Sequence, residues 1–471
     1  MKYIYPLFFF LLYFLDSNAQ NCNCGSNFQY LVKKIEKNYV GFSDKVTPAN
    51  KKRFQKFTDS LQKIADQSNP YKCLSISREW LAFFKDKHIN FGMDFEKLNP
   101  DSVKSFFADE EKTPWTENNF KNYLDANKGK LDEIEGVWFS GIYKLGIVKD
   151  QANKSLFIGF ILKADGYRWD AQQIKLKITK TNKGYSTSNF KGGDHSEQFP
   201  ILTKQNDTLD FGIFGKWYKG MHKTVQGPAA TQVDYSPKFK VANDTTSIFE
   251  LPSFYSLDYI AQVDSLISAN KPILTKTKHL IIDLRNNSGG SVLIYQKLIP
   301  YIYTNPILQE GGSVLATVEN IRDGYSTEYP QMSDSIKSVF RKNLNRLKAH
   351  TGELYNLYPV DTIKLQTVLQ NPARISFLVN KETGSAAELF LLEARQSTKV
   401  KLYGTNSAGV VDYTETVKAT MPCPFYTLWY PACKSTRLPD FPLDNIGIKP
   451  DIEIPDTVQD WIEFVINYRK N

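Results

Sequence analysis

Two stretches of this chain run apolar, without alternation, straight into glycine-bearing turns. They are Leu280-Ile-Ile-Asp-Leu284 before Arg285-Asn-Asn-Ser-Gly-Gly290, and Ile375-Ser-Phe-Leu-Val379 before Asn380-Lys-Glu-Thr-Gly-Ser385. A strand with no wet face must be covered on both sides, which is the condition of a parallel strand in an α/β sheet. Ser247-Ile-Phe-Glu-Leu251 and Val400-Lys-Leu-Tyr403 are further short apolar runs, with helical patterns at 256–268, 291–303 and 386–396 between the runs. Strand–helix–strand order over residues 244–471 predicts an α/β domain, and residues 305–370 read as a helical insertion in it.

The front of the chain has other periods. Phe28, Leu31, Val32 and Ile35 make one helical stripe, and Phe54, Phe57, Leu61 and Ile64 a second. Residues 20–130 therefore read as a helical N-terminal domain with a connector. From 131 to 243 the period becomes two: Ile174, Leu176 and Ile178 alternate with Lys175, Lys177 and Thr179, and Leu209, Phe211 and Ile213 form a second alternating set. That pattern, broken by glycine turns, predicts a small antiparallel β-domain of barrel-like form.

Lys2, an apolar run to Leu15 and Ser17-Asn18-Ala19 have the order of a secretory leader, so residues 1–19 read as a signal peptide. An exported protein, periplasmic or extracellular, is expected, with no membrane segment once the leader is gone. Five cysteines suit an oxidising compartment; Cys423–Cys433 is the first pairing to consider, with Cys24–Cys73 or Cys22–Cys73 as others. The net charge of +9 on 471 residues is spread along the chain, which reads as a solvated surface and not a nucleic-acid footprint. No phosphate loop, dinucleotide motif or metal-ligand spacing stands out, so neither a cofactor nor a metal is expected.

Chemistry is expected at the two turns. Gly289 and Gly290 can take positive φ and bring bare N–H groups to a developing anion. Ser385 opens an apolar helix, where its hydroxyl meets the positive end of the helix dipole, and Ala386 leaves its own N–H unobstructed. Read alone, Ser385 is equally an N-cap.

Together the two turns resemble those of the C-terminal-processing (tail-specific) serine peptidases, a group that includes the tricorn core protease and the interphotoreceptor retinoid-binding proteins. Asp283-Leu-Arg-Asn-Asn-Ser-Gly-Gly290, Gly384-Ser-Ala-Ala-Glu388, Tyr403-Gly-Thr-Asn-Ser-Ala-Gly409 and Ile446-Gly-Ile-Lys-Pro-Asp451 carry the resemblance, over roughly 245–295 and 373–452. It implies a ClpP/crotonase-like ββα core. The lysine that serves as base in the bacterial branch is replaced by Val410, and Lys399, Lys401 and Lys418 are the remaining lysines to consider. The histidine-using, tricorn-like branch resembles this chain at Asp86-Lys87-His88, with Lys87 where that branch has a serine. The resemblance thus implies Ser385 as nucleophile, His88 as base and Asp444 as the carboxylate that orients it, where the family usually has Glu. Gly289, Gly290 and Ala386 would form the oxyanion hole. Asp86 is a rival orienter, and Glu388 a structural acceptor.

The expected reaction is hydrolysis of a peptide or unfolded protein through an acyl-enzyme. An esterase, and an inactive peptide- or ligand-binding protein on the same fold, stand beside it.

Overall fold

A computed structural model describes residues 22–182, 184–212, 215–220, 234–328, 332–455 and 457–468. The leader expected at 1–19, and Ile213, lie outside the described residues.

The first helix, Cys24–Asn38, is capped by Asn23, whose side chain accepts from the Ser26 N–H at 2.7 Å. Its stripe Phe28, Leu31, Val32 and Ile35 is buried, as amphipathic spacing requires. In the helix Lys51–Asp66 the buried face is Phe54, Thr58, Leu61 and Ala65, and Ile64, expected inside, is 49% exposed. The face is rotated because Thr58 Oγ1 accepts from the Trp80 indole N–H at 2.8 Å, which keeps the hydroxyl satisfied in the core.

These helices have no core of their own. Phe28, Trp80 and Phe84 share one apolar cluster with Leu428, Tyr430 and Ala432 from the strand Tyr426–Ser435, at the far end of the chain. The helical region expected at 20–130 thus packs on the distal strand. The strand Asn90–Met93 pairs antiparallel with that distal strand, Asn90 opposite Trp429. Gly312–Leu315 and Leu354–Tyr358 extend the same sheet, so the 305–370 stretch, expected to be helical, contributes strands as well as the helix Asp334–Ala349.

The disulfide also ties front to back. Cys22 is bonded to Cys423, 401 positions away, while Cys24, Cys73 and Cys433 are free and buried. The Cys423–Cys433 pairing is overturned because most of the intervening chain is extended strand, which at ~3.3 Å per residue carries the two sulfurs about 20 Å apart. Closing so long a loop restricts the unfolded chain strongly, so replacing Cys22 and Cys423 by Ser is expected to cost about 2–5 kcal/mol of stability. An unchanged denaturation midpoint in that double variant would refute this.

Among the described residues the β-module is a nine-stranded antiparallel sheet. Its strand Lys216–Lys219 returns to pair with Gly136–Ser140. Trp138, Leu145, Leu176, Leu209 and Trp217 meet in one core, so the sheet curls on itself. Its end strands Glu197–Gln198 and Thr203–Gln205 are not paired with each other, so the expected barrel form is approached but not closed by hydrogen bonds.

The α/β body is a sheet in which Thr246–Glu250, His279–Asp283, Arg374–Val379, Val400–Gly404 and Ile452–Glu453 run parallel, with Lys238–Asn243 antiparallel at one edge. The helices Asp258–Ala269 and Ala386–Ala394 are connections of this sheet. The whole is a mixed α/β fold with a helical N-terminal region. Among the described residues, no helix is long and apolar enough to cross a membrane.

Candidate active site

The strands His279–Asp283 and Arg374–Val379 are neighbours, so the two turns that leave them lie side by side. Side chains and backbone lace the turns together. Asn286 and Asn380 exchange hydrogen bonds at 2.9 Å, Thr383 Oγ1 donates to the Leu284 carbonyl at 2.9 Å, and the Gly384 N–H donates to the Asn287 carbonyl at 2.9 Å. Asn287, which sequence reasoning passed over, is fully buried; its Nδ2 donates to the Leu251 carbonyl and its Oδ1 accepts from the Gly289 N–H. Only its place after a buried strand hinted at this work.

That last bond changes the reading of the glycines. The Gly289 N–H is committed to Asn287 and is not a free oxyanion donor. Gly289 serves instead by close approach: at φ 99°, a Cβ there would stand 2.6 Å from Ser385 Cβ and 2.9 Å from the Ala386 nitrogen. Gly290, at φ 135°, is pressed against the Phe254 carbonyl, 1.9 Å from where a Cβ would sit, and its N–H makes no hydrogen bond to the described residues. The Ala386 N–H, in the first turn of its helix, is likewise without an acceptor among the described residues.

Ser385 holds φ 55° and ψ −123°, a conformation that costs a non-glycine residue of order 1–3 kcal/mol and persists only where its surroundings impose it. The imposing group is Glu388, buried without exposure, whose Oε2 accepts from the Ser385 N–H at 3.1 Å. The Ser385 hydroxyl faces His88 Nε2 at 3.2 Å, across 297 positions of sequence.

His88 reaches that hydroxyl from the front of the chain. The helical run ends at Lys85, in the left-handed conformation at φ 49°, and the strand Asn90–Met93 then enters the distal sheet. Between them, three contacts hold the loop to the α/β body: Lys85 O accepts from Asn445 Nδ2 at 2.7 Å, Lys87 Nζ donates to the Ala408 carbonyl at 2.6 Å, and His88 meets Ser385. Lys87, which takes a serine's place in the resemblance, is thus a bridge between loops.

The two candidate orienters are separated by geometry. Asp86 accepts from the Tyr39 hydroxyl at 2.8 Å and from the His88 backbone N–H at 2.9 Å, so it fixes the loop and not the ring. Asp444 Oδ1 accepts from the Val411 and Asp412 N–H groups, both at 2.9 Å. Its Oδ2 and His88 Nδ1 are both buried and both without a hydrogen bond among the described residues.

Burial, the largest effect on each group, acts oppositely on histidine and carboxylates. It holds the His88 imidazole below its ordinary value, against the Asp444 carboxylate, the Tyr413 backbone and Glu388, which all raise it. It pushes Asp444 and Asp86 each up to about 6, with Asp412 adding to the rise in both. The resting state favoured is a neutral imidazole, which can accept a proton from Ser385.

Val410, where a lysine base would stand, packs its side chain toward Gly384. The other lysines are engaged elsewhere: Lys399 Nζ donates to the Leu369 carbonyl at 3.3 Å, Lys401 lies 3.9 Å from Asp451, and Lys418 sits over the Trp429 ring. His195 is stacked between Phe107 and Trp169 in the β-module. No group of three or more His, Cys, Asp or Glu among the described residues is arranged to hold a metal ion.

A serine on a strained strand-to-helix corner, with a histidine against its hydroxyl on a mixed α/β body, is the arrangement a nucleophilic serine needs. Residues 246–454 match the model of peptidase family S41. Over that span, which is under half of the chain, the protein is similar to the C-terminal-processing serine peptidases. It is 25% identical over 215 residues to a protein of Chlamydia trachomatis serovar D, covering 40% of this chain and 36% of that one, so the match spans about a third of the relative's length. Mature CPAF is similar in structure at TM-score 0.48 and 12% identity, over 92% of this chain and 93% of that one. The photosystem II D1 C-terminal processing protease is similar at TM-score 0.39 and 13% identity, over 91% and 92%.

Proposed function

We propose that this chain is an exported endopeptidase that cleaves peptides or unfolded proteins at Ser385 through a Ser-His-Asp relay, on a ClpP/crotonase-like core. The Ser385 hydroxyl adds to the scissile carbonyl while His88 Nε2 takes its proton, and the imidazolium then passes that proton to the departing amine. Asp444 stabilises the imidazolium by charge and, when a small movement closes the open link, by a hydrogen bond to Nδ1. The oxyanion is received by the N–H groups of Ala386 and Gly290, with Gly289 keeping the two turns close enough for both to reach it. Water repeats the cycle on the acyl-enzyme.

The observation that carries this reading is the 3.2 Å approach of His88 to a serine held in a strained backbone. Export rests on the leader pattern in residues 1–19. The experiment is exposure of the folded protein to a fluorophosphonate, with the labelled residue located by mass spectrometry, beside an assay on an unstructured protein. Labelling at Ser385, absent from Ser385→Ala, together with cleavage is expected. A second reading, a ligand-binding protein that does not turn over, is favoured by the open His88–Asp444 link, and wild-type protein with an unlabelled Ser385 would establish it in place of the first.

A further inference from the structure

Four successive backbone amides meet two carboxylates in strict order. Gly409 N–H donates to Glu388 Oε1 and Val410 N–H to Glu388 Oε2, both at 2.8 Å; Val411 and Asp412 N–H then donate to Asp444 Oδ1, both at 2.9 Å. Glu388 completes its shell with the Ser407 hydroxyl at 2.5 Å and the Ser385 N–H at 3.1 Å. Ser407 Oγ in turn accepts from the Ile448 N–H at 2.6 Å. The same segment is anchored from beneath by Arg437, which reaches the Val411 carbonyl and the Asp412 carboxylate, each at 3.1 Å. Asp412 also receives the Leu443 and Asp444 N–H groups. One short run of backbone therefore touches both the group that holds the nucleophile and the group that faces the base.

We propose that Glu388 is a positioning residue for the reaction, coupling the Ser385 turn through segment 409–412 to Asp444, so that nucleophile and histidine-facing carboxylate are held in one register. This rests on the hydrolytic reading of Ser385 but assigns Glu388 no contact with substrate. A buried carboxylate that accepts four hydrogen bonds is costly to move, because any displacement leaves a donor or an oxygen unpaired in the interior. That stiffness keeps Ser385 at positive φ. The 410 and 411 amides belong to consecutive peptide units joined at the Val410 Cα, so a shift of the Glu388 end has one residue to cross before it reaches the Asp444 end. Charge adds to position: Glu388 and Asp444 act on His88 from the α/β body, with Asp86 on its own loop and Asp412 behind, and Arg437 balances Asp412.

Glu388→Gln keeps the shape but turns one oxygen into a donor, so either Ser385 with Val410 or Ser407 with Gly409 loses its acceptor. In that variant, hydrogen exchange is expected to accelerate at all four amides, 409 to 412, and not only at the two that Glu388 binds. The His88 imidazole, followed by NMR, is expected to titrate lower, since a nearby carboxylate that raises it is gone. Peptide kcat should fall about 10²-fold with KM little changed, the effect of misplacing a reacting group. Glu388→Asp, which keeps the charge, should restore the His88 titration while leaving kcat reduced. Faster exchange confined to Gly409 and Val410, or an unchanged His88 titration in folded Glu388→Gln, would overturn the proposal. Should that variant not fold, Ser407→Ala decides, with Ser385 labelling about fivefold slower expected from the loss of one charged hydrogen bond, and an unchanged rate refuting it. If wild-type Ser385 is not labelled at all, the hydrolytic reading falls, and the exchange and NMR arms still decide whether Glu388 positions the segment.

Discussion

His88→Ala is expected to lower kcat on an unstructured peptide by about 10⁴-fold or more, with KM nearly unchanged. The serine in that variant keeps its strained backbone, because Glu388 and not His88 imposes it. What is lost is the proton acceptor at 3.2 Å. No neighbour replaces it: Val410 cannot accept a proton, Lys399, Lys401 and Lys418 are engaged away from the hydroxyl, and Asp86 has both oxygens taken by Tyr39 and the loop backbone. Fluorophosphonate labelling should slow in parallel, since it uses the same deprotonation. The fold should survive, because the loop stays tied by Lys85 to Asn445 and by Lys87 to Ala408. A folded His88→Ala protein that retains kcat within tenfold of wild type would place the base elsewhere and remove the relay.

The parts of the molecule legible in the sequence were those governed by local pattern. The runs at 280–284 and 375–379 are neighbouring parallel strands, each apolar but for one buried polar residue, Asp283 or Ser376, and the alternation at 174–178 is a half-buried strand. Ser385 and His88 were readable by resemblance to motifs, and the structure brings them together. What sequence could not supply was pairing at a distance. The Cys22–Cys423 bridge follows from the first helix packing on a strand formed some four hundred residues later. Within 305–370, Gly312–Leu315 forms on the edge that Tyr426–Ser435 offers, and Leu354–Tyr358 adds to it in turn. At finer scale, Gly289 was expected to donate and instead spends its N–H on Asn287, a hydrogen bond no spacing announces. Ile64 fits the helical period of its stripe yet lies outside, because one indole N–H satisfies Thr58 in the core.

Asp444→Asn should trade activity for stability. The asparagine oxygen can keep the Val411 and Asp412 N–H bonds, so the loop is preserved. Its amide then replaces the oxygen that faces His88 with a donor, and a donor opposite Nδ1 selects the tautomer with its proton on Nε2. That tautomer cannot accept from Ser385, and kcat is expected to drop about 10³–10⁴-fold. Stability moves the other way, with a definite pH dependence. The Asp444 carboxyl stands at about 6 in the folded chain, above its ordinary 3.8, chiefly through burial. Its raised affinity for a proton favours the fold below 3.8, and that contribution is lost as pH rises through about 6. At pH 8 the wild type therefore carries a buried charge that the variant lacks, and Asp444→Asn should be more stable there by about 1–2 kcal/mol after solvent screening. The advantage should shrink to nothing by about pH 4. Denaturant unfolding at pH 8 and pH 4 measures it. A variant less stable than wild type at pH 8, or equally offset at both pH values, would mean that Asp444 is held by packing and not kept charged, at a cost to the fold, for the sake of His88.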